Sequence, residues 1–249
     1  MPKQKVCLVT GAGGTVGQHL VANLVAKGYK VVALGEALDT FMPDILQNRQ
    51  IKITTALPVS AEMLKSYDVQ FCFGDISDIS FLASVFNAAD IGNIEIELVF
   101  YLSAHKLIQK KSPAAYHPDF GASANVLEVA LAYWQSHKQA FKGFFYAAEN
   151  GNRTTKQVEK LIKKIQDKEA FPAVVYQSEV LSNIAGGYKG RTSLSSLYRF
   201  ISPVKTPVVP TVMSWKTEAD SELNYIAGLK RATDKIISQI KAGKSISLD

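Results

Sequence analysis

The chain alternates between short runs of continuous apolar residues and longer segments whose apolar positions recur every three or four residues. Val6-Cys7-Leu8-Val9, Val31-Val32-Ala33-Leu34, Val69-Gln70-Phe71-Cys72-Phe73, Leu98-Val99-Phe100-Tyr101-Leu102, Gly143-Phe144-Phe145-Tyr146 and Ala173-Val174-Val175-Tyr176 are of the first kind. Such runs, with little polar alternation, predict parallel strands buried on both faces. Between them the helical period predicts a helix from about Val16 to Lys27, with Leu20, Val21, Leu24 and Val25 on one face and Gly28 where it should stop. Further helices are predicted at about 61–65, 80–88, 121–136 and 154–168. This alternation implies right-handed crossovers and an α/β, doubly wound parallel sheet.

Two stretches break the pattern. Residues 37–66 are irregular and carry Met42-Pro43 and Leu57-Pro58. Beyond about Leu181 the chain is cut by Gly186, Gly187, Gly190, Pro203, Pro207 and Pro210, before a last helix at about 222–240 bearing Leu223, Ile226, Leu229, Ile236 and Ile240. The expected organisation is a core over residues 1–181 and a small C-terminal lobe over 182–249 packed on it, as one structural domain. No internal repeat or low-complexity segment is visible.

Composition changes this picture little. With 249 residues, 47% hydrophobic and 20% charged, the chain can bury one large core and does not read as disordered. The net charge of +6 is mild. Lys106, Lys110 and Lys111 form one basic cluster, and Lys156, Lys160, Lys163, Lys164 and Lys168 decorate a helix. Lysines at helical spacing predict a solvated face rather than a nucleic-acid interface, though they would suit an anionic ligand. Cys7 and Cys72 sit in strand-like runs, as buried free thiols in a reducing cytoplasm would. The first strand starts almost at once after Met1, so no secretory leader is expected, and no apolar run nears the roughly 20 residues of a membrane helix. His19, His117 and His137 have no metal-ligand spacing, so no metal is expected.

The chemistry concentrates in Thr10-Gly11-Ala12-Gly13-Gly14-Thr15-Val16-Gly17, directly between the first strand and the first helix. Gly11 permits a tight turn, Gly14 lets the backbone approach a pyrophosphate, and Gly17 lets the helix pack on the sheet. Free amides and the helix dipole then face the phosphates. This strand–turn–helix context predicts a Rossmann-type dinucleotide-binding fold, with the small lobe closing over the cofactor edge. At the end of the second strand, Glu36 lies about where the adenosine ribose hydroxyls belong. It would accept their hydrogen bonds and repel a 2′-phosphate, which favours NAD over NADP.

These residues resemble the extended and atypical branches of the short-chain dehydrogenase/reductase superfamily, including its NAD-dependent epimerase/dehydratase relatives. Thr10 to Gly17 match the order Thr-Gly-x-x-Gly-x-x-Gly. Gly74-Asp75-Ile76-Ser77-Asp78 is similar to the family's acidic motif after the third strand, which implies that Asp75 and Ile76 approach the adenine. Leu102-Ser103-Ala104-His105 resembles the loop passing under the nicotinamide ribose, and Asn125 falls at the family's helix asparagine. The resemblance spans roughly residues 5–180. It implies pairing of two copies through the two long helices, as a homodimer, and a small-molecule substrate that the sequence does not name.

The family's catalytic pattern is broken. Its chemistry pairs a tyrosine with a lysine four residues later, so that the cation lowers the phenol pKa. None of the ten tyrosines has that partner. The best match, Asn152-Arg153-Thr154-Thr155-Lys156, keeps the lysine and replaces the tyrosine with asparagine. Ala147-Ala148 stand where the partner serine or threonine belongs. The remaining candidates are Lys156, as donor to the nicotinamide ribose and in catalysis, Tyr176 at a strand end, His105 as an acid or base, and Glu149 and Tyr146 nearby. Each has a bland alternative: a surface lysine, an aromatic packed against the small lobe, a structural histidine. Three functions stay open: an NAD(P)-dependent oxidoreductase or epimerase-like enzyme with a non-standard proton relay, a nucleotide-binding sensor or assembly subunit without turnover, and a nucleic-acid-binding protein.

Overall fold

The computed structural model describes residues 3–35, 43–102, 118–149, 153–178, 198–201 and 219–246. The strands are β1 (Gln4–Thr10), β2 (Lys30–Gly35), β3 (Ile53–Thr54), β4 (Val69–Phe73), β5 (Ile94–Leu102), β6 (Gly143–Glu149), β7 (Ala173–Ser178) and β8 (Tyr198–Ile201). The helices are α1 (Thr15–Ala26), α2 (Asp44–Asn48), α3 (Ala61–Ser66), α4 (Ile79–Ile91), α5 (Pro118–Ser136), α6 (Arg153–Gln166) and α7 (Ala219–Lys241). The strand order is β3-β4-β2-β1-β5-β6-β7-β8. By compactness the chain forms two units, one of residues 1–102 and 121–144 and one of residues 103–120 and 145–249, so the division falls inside β6.

In the first unit β1 is central, parallel to β2 on one side and to β5 on the other. Val6, Cys7, Leu8 and Val9 are fully buried, as the continuous apolar run predicted. The β1–β5 register pairs Val6 with Ile96 and then Cys7 with Leu98, so Glu97 is an extra residue in β5. Its side chain is buried and its carboxylate accepts from Lys5 Nζ at 3.1 Å. Gly28, at φ +88° with no atom near its missing Cβ, turns the chain out of α1. Cys7 and Cys72 are free and buried, and burial pushes the Cys72 thiol up to about 12 and Cys7 higher than its ordinary value.

The irregular stretch before β4 holds the short α2 and β3 that the sequence pattern did not reveal. Buried Gln70 fixes part of it, donating to the carbonyls of Ala56 and Pro58 and accepting from the Ser60 amide. Ser60 in turn caps α3 through the Met63 amide.

In the second unit β7 pairs antiparallel with β8, Tyr176 standing opposite Tyr198. This strand lies in the Gly/Pro-broken region and departs from the expected all-parallel order, as edge strands of such sheets often do. Along α6, Thr154, Thr155, Val158, Ile162 and Gln166 are buried while Lys156, Lys160, Lys163 and Lys164 are exposed, the predicted amphipathic division. Gln166 donates to the carbonyls of Phe171 and Ala173, tying the end of α6 to the start of β7. Among the described residues no helix is long and apolar enough to cross a membrane.

Candidate functional site

The carboxyl ends of β1, β2 and β5 meet at the glycine turn. Thr10 is fully buried and its hydroxyl oxygen accepts from the Leu102 amide at 3.2 Å, joining the ends of β1 and β5. Gly11 follows at φ +65°, a left-handed conformation in which a side chain would be strained. A Cβ there would also crowd Leu102, 3.1 Å from its carbonyl oxygen and 3.3 Å from its Cβ. The Ala12 amide reaches the Leu34 carbonyl of β2 at 3.4 Å. At Gly17 a Cβ would lie only 2.1 Å from the Gly11 oxygen, so α1 packs on the turn through bare backbone.

Gly14 differs from both. It is the N-cap of α1, with φ −76° and ψ 164°, a conformation open to any residue. A Cβ on it would find only the Gly11 oxygen, at 3.7 Å, an ordinary contact. Gly14 supplies no capping side chain, and α1 has no acidic residue in its first turn. The first intrahelical bond is from the Gln18 amide to the Gly14 carbonyl at 2.9 Å, which leaves the amides of Thr15, Val16 and Gly17 without an intrahelical acceptor. Uncapped amides, an unneutralised dipole and open space at Gly14 together suit an anionic group.

Next to this turn Gly35 ends β2, its missing Cβ 3.1 Å from the Phe73 ring. Asp75 is exposed; its Oδ1 accepts from the Ser77 amide at 2.8 Å and the Ser77 hydroxyl at 2.7 Å. Ile76 is buried beside it. Asp78 caps α4 by accepting from the Ser80 amide at 2.8 Å. Asn125 of α5 donates to the Ser77 carbonyl at 2.6 Å, so the family-like asparagine braces the family-like acidic loop. The first unit thus brings Thr10, Gly11, Gly14, Gly17 and Leu102 into one turn, and Asp75 and Ile76 into a loop held by Asn125.

In the second unit Tyr176 is 2% exposed, stacked on Phe145 at 6.1 Å and tilted against Tyr225 of α7 at 5.6 Å. Burial raises the Tyr225 phenol well above its ordinary value, and the nearby Tyr146 adds to this. Tyr146 and Ala147 are buried in β6, and Lys156 is exposed in the first turn of α6. Glu36, Ser103, Ala104, His105 and Asn152 lie outside the described residues, as does the Glu149 side chain. Sequence reasoning missed Gln18, which is buried and donates from Nε2 to the Gly13 carbonyl at 3.0 Å. A polar residue among the buried positions of α1 was its only trace in the sequence.

A family model for NAD-dependent epimerases/dehydratases matches residues 7–148, more than half of the chain. The chain belongs to the NAD-dependent epimerase/dehydratase family. Among solved structures it is similar to a UDP-glucose 4-epimerase, at 19% identity and TM-score 0.48, covering 69% of this chain and 50% of that one. A short-chain type dehydrogenase/reductase from Mycobacterium ulcerans is similar at 18% identity and TM-score 0.50, covering 67% of this chain and 63% of its own. A metagenomic short-chain oxidoreductase in complex with NADP matches at 10% identity and TM-score 0.49, covering 71% of this chain and 81% of its own. At such identities the likeness concerns the fold alone. This chain spans between half and two thirds of the length of the first two structures. No curated protein matches the sequence. Family membership makes a nicotinamide dinucleotide the expected ligand of the glycine turn, and the geometry at Gly14 fits its pyrophosphate.

Proposed function

We propose that this epimerase/dehydratase-family chain binds NAD in preference to NADP. On this reading it works as an oxidoreductase or epimerase-like enzyme on a small carbonyl/hydroxyl or sugar-nucleotide substrate. The observation that carries it is Gly14. Neither backbone conformation nor space requires glycine there, and a Ser, Thr, Asp or Asn cap would stabilise α1 over glycine by roughly a few tenths of a kcal/mol. A position where the fold tolerates a side chain yet has none suits close approach of a ligand to the backbone.

On this reading the amides that open α1 hold the pyrophosphate, Asp75 and Ile76 border the adenine, and Glu36 accepts from the adenosine ribose. Leu102, Ser103 and Ala104 pass the nicotinamide ribose, to which Lys156 donates. The nicotinamide, when bound, supplies hydride transfer. Proton transfer falls to a group other than the family's tyrosine and serine, with His105 the candidate among the titratable side chains. Two buried free thiols suit a reducing cytoplasm, and pairing as a homodimer completes the reading.

Isothermal titration with NAD, NADH, NADP and NADPH, after removal of copurified nucleotide, tests the binding. Tight binding of the NAD pair, lost in Gly14→Asp, is expected; no binding to any of the four overturns the proposal. A second reading, a dinucleotide sensor or assembly subunit without turnover, is favoured by Tyr176, whose ring is packed between Phe145 and Tyr225. The enzyme should oxidise or reduce cofactor with a carbonyl or sugar-nucleotide substrate, and Lys156→Ala should abolish this. The sensor should bind NAD(H), change its oligomeric state and leave the nucleotide intact.

A further inference from the structure

Gln18 lies one residue beyond the last glycine of the turn, on the buried side of α1. Burying an amide without partners is costly, so its bonds show what it is there to hold. Its Nε2 donates to the Gly13 carbonyl at 3.0 Å and its Oε1 accepts from the Ile45 amide, in α2, at 3.1 Å. The nitrogen can only donate and the oxygen only accept, so these two bonds together fix the orientation of the amide. Glu lacks the donor, Lys and Arg lack the acceptor, Met lacks both, and Asn is one methylene short.

The Gly13 bond matters because of where it points that carbonyl. The peptide joining Gly13 to Gly14 is planar and its C=O is a fixed dipole. Drawn to the buried side by Gln18, the oxygen faces α1. The Gly14 amide of the same peptide donates to the Gly11 carbonyl at 3.3 Å. Without Gln18 only that longer bond resists rotation of the oxygen toward the open side of Gly14, where its partial negative charge would oppose a phosphate. The Ile45 bond then links this peptide to the point at which the chain, having left β2 at Gly35, returns in α2.

We infer that Gln18 is a positioning residue for dinucleotide binding, holding the Gly13 carbonyl away from the pyrophosphate and coupling the glycine turn to α2. This rests on the proposal that the turn binds a dinucleotide.

The test compares wild type, Gln18→Met and Gln18→Glu of the full chain. Met keeps the volume and loses both bonds. Glu keeps the acceptor for Ile45, loses the donor to Gly13 and adds charge. Titration with NAD should show binding weakened about tenfold in Gln18→Met, the scale of one to two neutral hydrogen bonds, and further in Gln18→Glu. Ligand-observed NMR with ADP-ribose and with adenosine separates positioning from general loosening. Positioning predicts a loss for the pyrophosphate-bearing ADP-ribose and little change for adenosine. Equal losses for both, or NAD affinity within twofold of wild type in both variants, overturn the inference while leaving the dinucleotide reading intact. Wild type that binds no dinucleotide overturns both. If Gln18→Met does not fold, Gln18→Glu decides by the same ratio.

Discussion

Replacing Gly17 with alanine adds one carbon at a place where the backbone leaves no room. That Cβ would stand 2.1 Å from the Gly11 oxygen, 2.7 Å from Ala12 Cα and 2.8 Å from the Gly11 carbonyl carbon. All three are backbone atoms, so no rotamer change relieves the clash, and ordinary contact requires a shift of about 1 Å. The turn has little freedom to move. Gly11 already lies against Leu102, Thr10 is bonded to the Leu102 amide, and Ala12 is bonded to Leu34. Overpacking of this kind costs about 1–3 kcal/mol, and the rigid surroundings place it near the upper end. Alanine recovers up to ~1 kcal/mol of helix propensity, which leaves a net loss of about 2 kcal/mol. For a chain of this size that corresponds to a fall in Tm of roughly 4–8 °C. Gly14→Ala is the matched control, since its Cβ meets one atom at 3.7 Å. Its Tm should stay within about 2 °C of wild type, while its NAD affinity falls because the methyl occupies the ligand's approach. Thermal melts followed by circular dichroism, with NAD titrations of both variants, read the two effects apart. A Gly17→Ala variant that melts within about 1 °C of wild type would refute the packing argument. A Gly14→Ala variant that binds NAD as wild type does would remove the observation on which the proposed function stands.

Three other outcomes are expected. Tyr176→Ala should lose about 3–5 kcal/mol, more than Tyr176→Phe, because the ring fills a buried site between Phe145 and Tyr225; loss of turnover in a folded Tyr176→Phe would instead give the phenol a catalytic role. Cys7 and Cys72 should react with a thiol reagent only as fast as the chain unfolds, because both are buried and burial raises both thiols; rapid labelling of the native protein would contradict this. The Asp68 carboxyl is lowered, because bonds from the Lys52 amide and Lys30 ammonium outweigh the opposing effect of partial burial. Its contribution is therefore complete above the ordinary carboxylate pKa and lost as pH falls through the lowered folded value, so Asp68→Asn should flatten the acid limb of stability against pH.

The strands were legible because parallel strands buried on both faces need continuous apolar runs, and β4 follows such a run from end to end. Helix α1 falls within one residue of its expected span, while α4 and α7 run one to three residues past theirs at each end, because a terminal turn continues on backbone bonding after the apolar pattern stops. What stayed hidden is held by long-range polar contacts. The loop before α3 is fixed by Gln70, ten or more residues away in sequence, and α2 by Gln18. Neither leaves a periodic trace. β8 was missed because an antiparallel edge strand of four residues, Tyr198–Ile201, is too short to show alternation amid glycine and proline. At the site, the glycines could be read from spacing alone, whereas the different reasons for Gly14 and Gly17 required coordinates.

That difference bears on how much each family-like residue says about function. Gly11 and Gly17 are demanded by the fold, through a left-handed φ and a backbone contact, and would be glycine with or without a ligand. Thr10 holds β5, Asn125 holds the Ser77 carbonyl, Asp75 closes its own loop, and Tyr176 fills a gap between two rings. The first three match a nucleotide-binding pattern and all four have a structural reason, so their presence does not separate an active enzyme from a retained fold. Gly14 and Lys156 are the exceptions. Gly14 leaves a helix uncapped where a capping side chain would fit, and Lys156 stands exposed on α6 in no ion pair among the described residues. Binding is therefore tested at Gly14 and turnover at Lys156. A chain that loses NAD on Gly14→Ala but is indifferent to Lys156→Ala is a binding protein on an enzyme's fold.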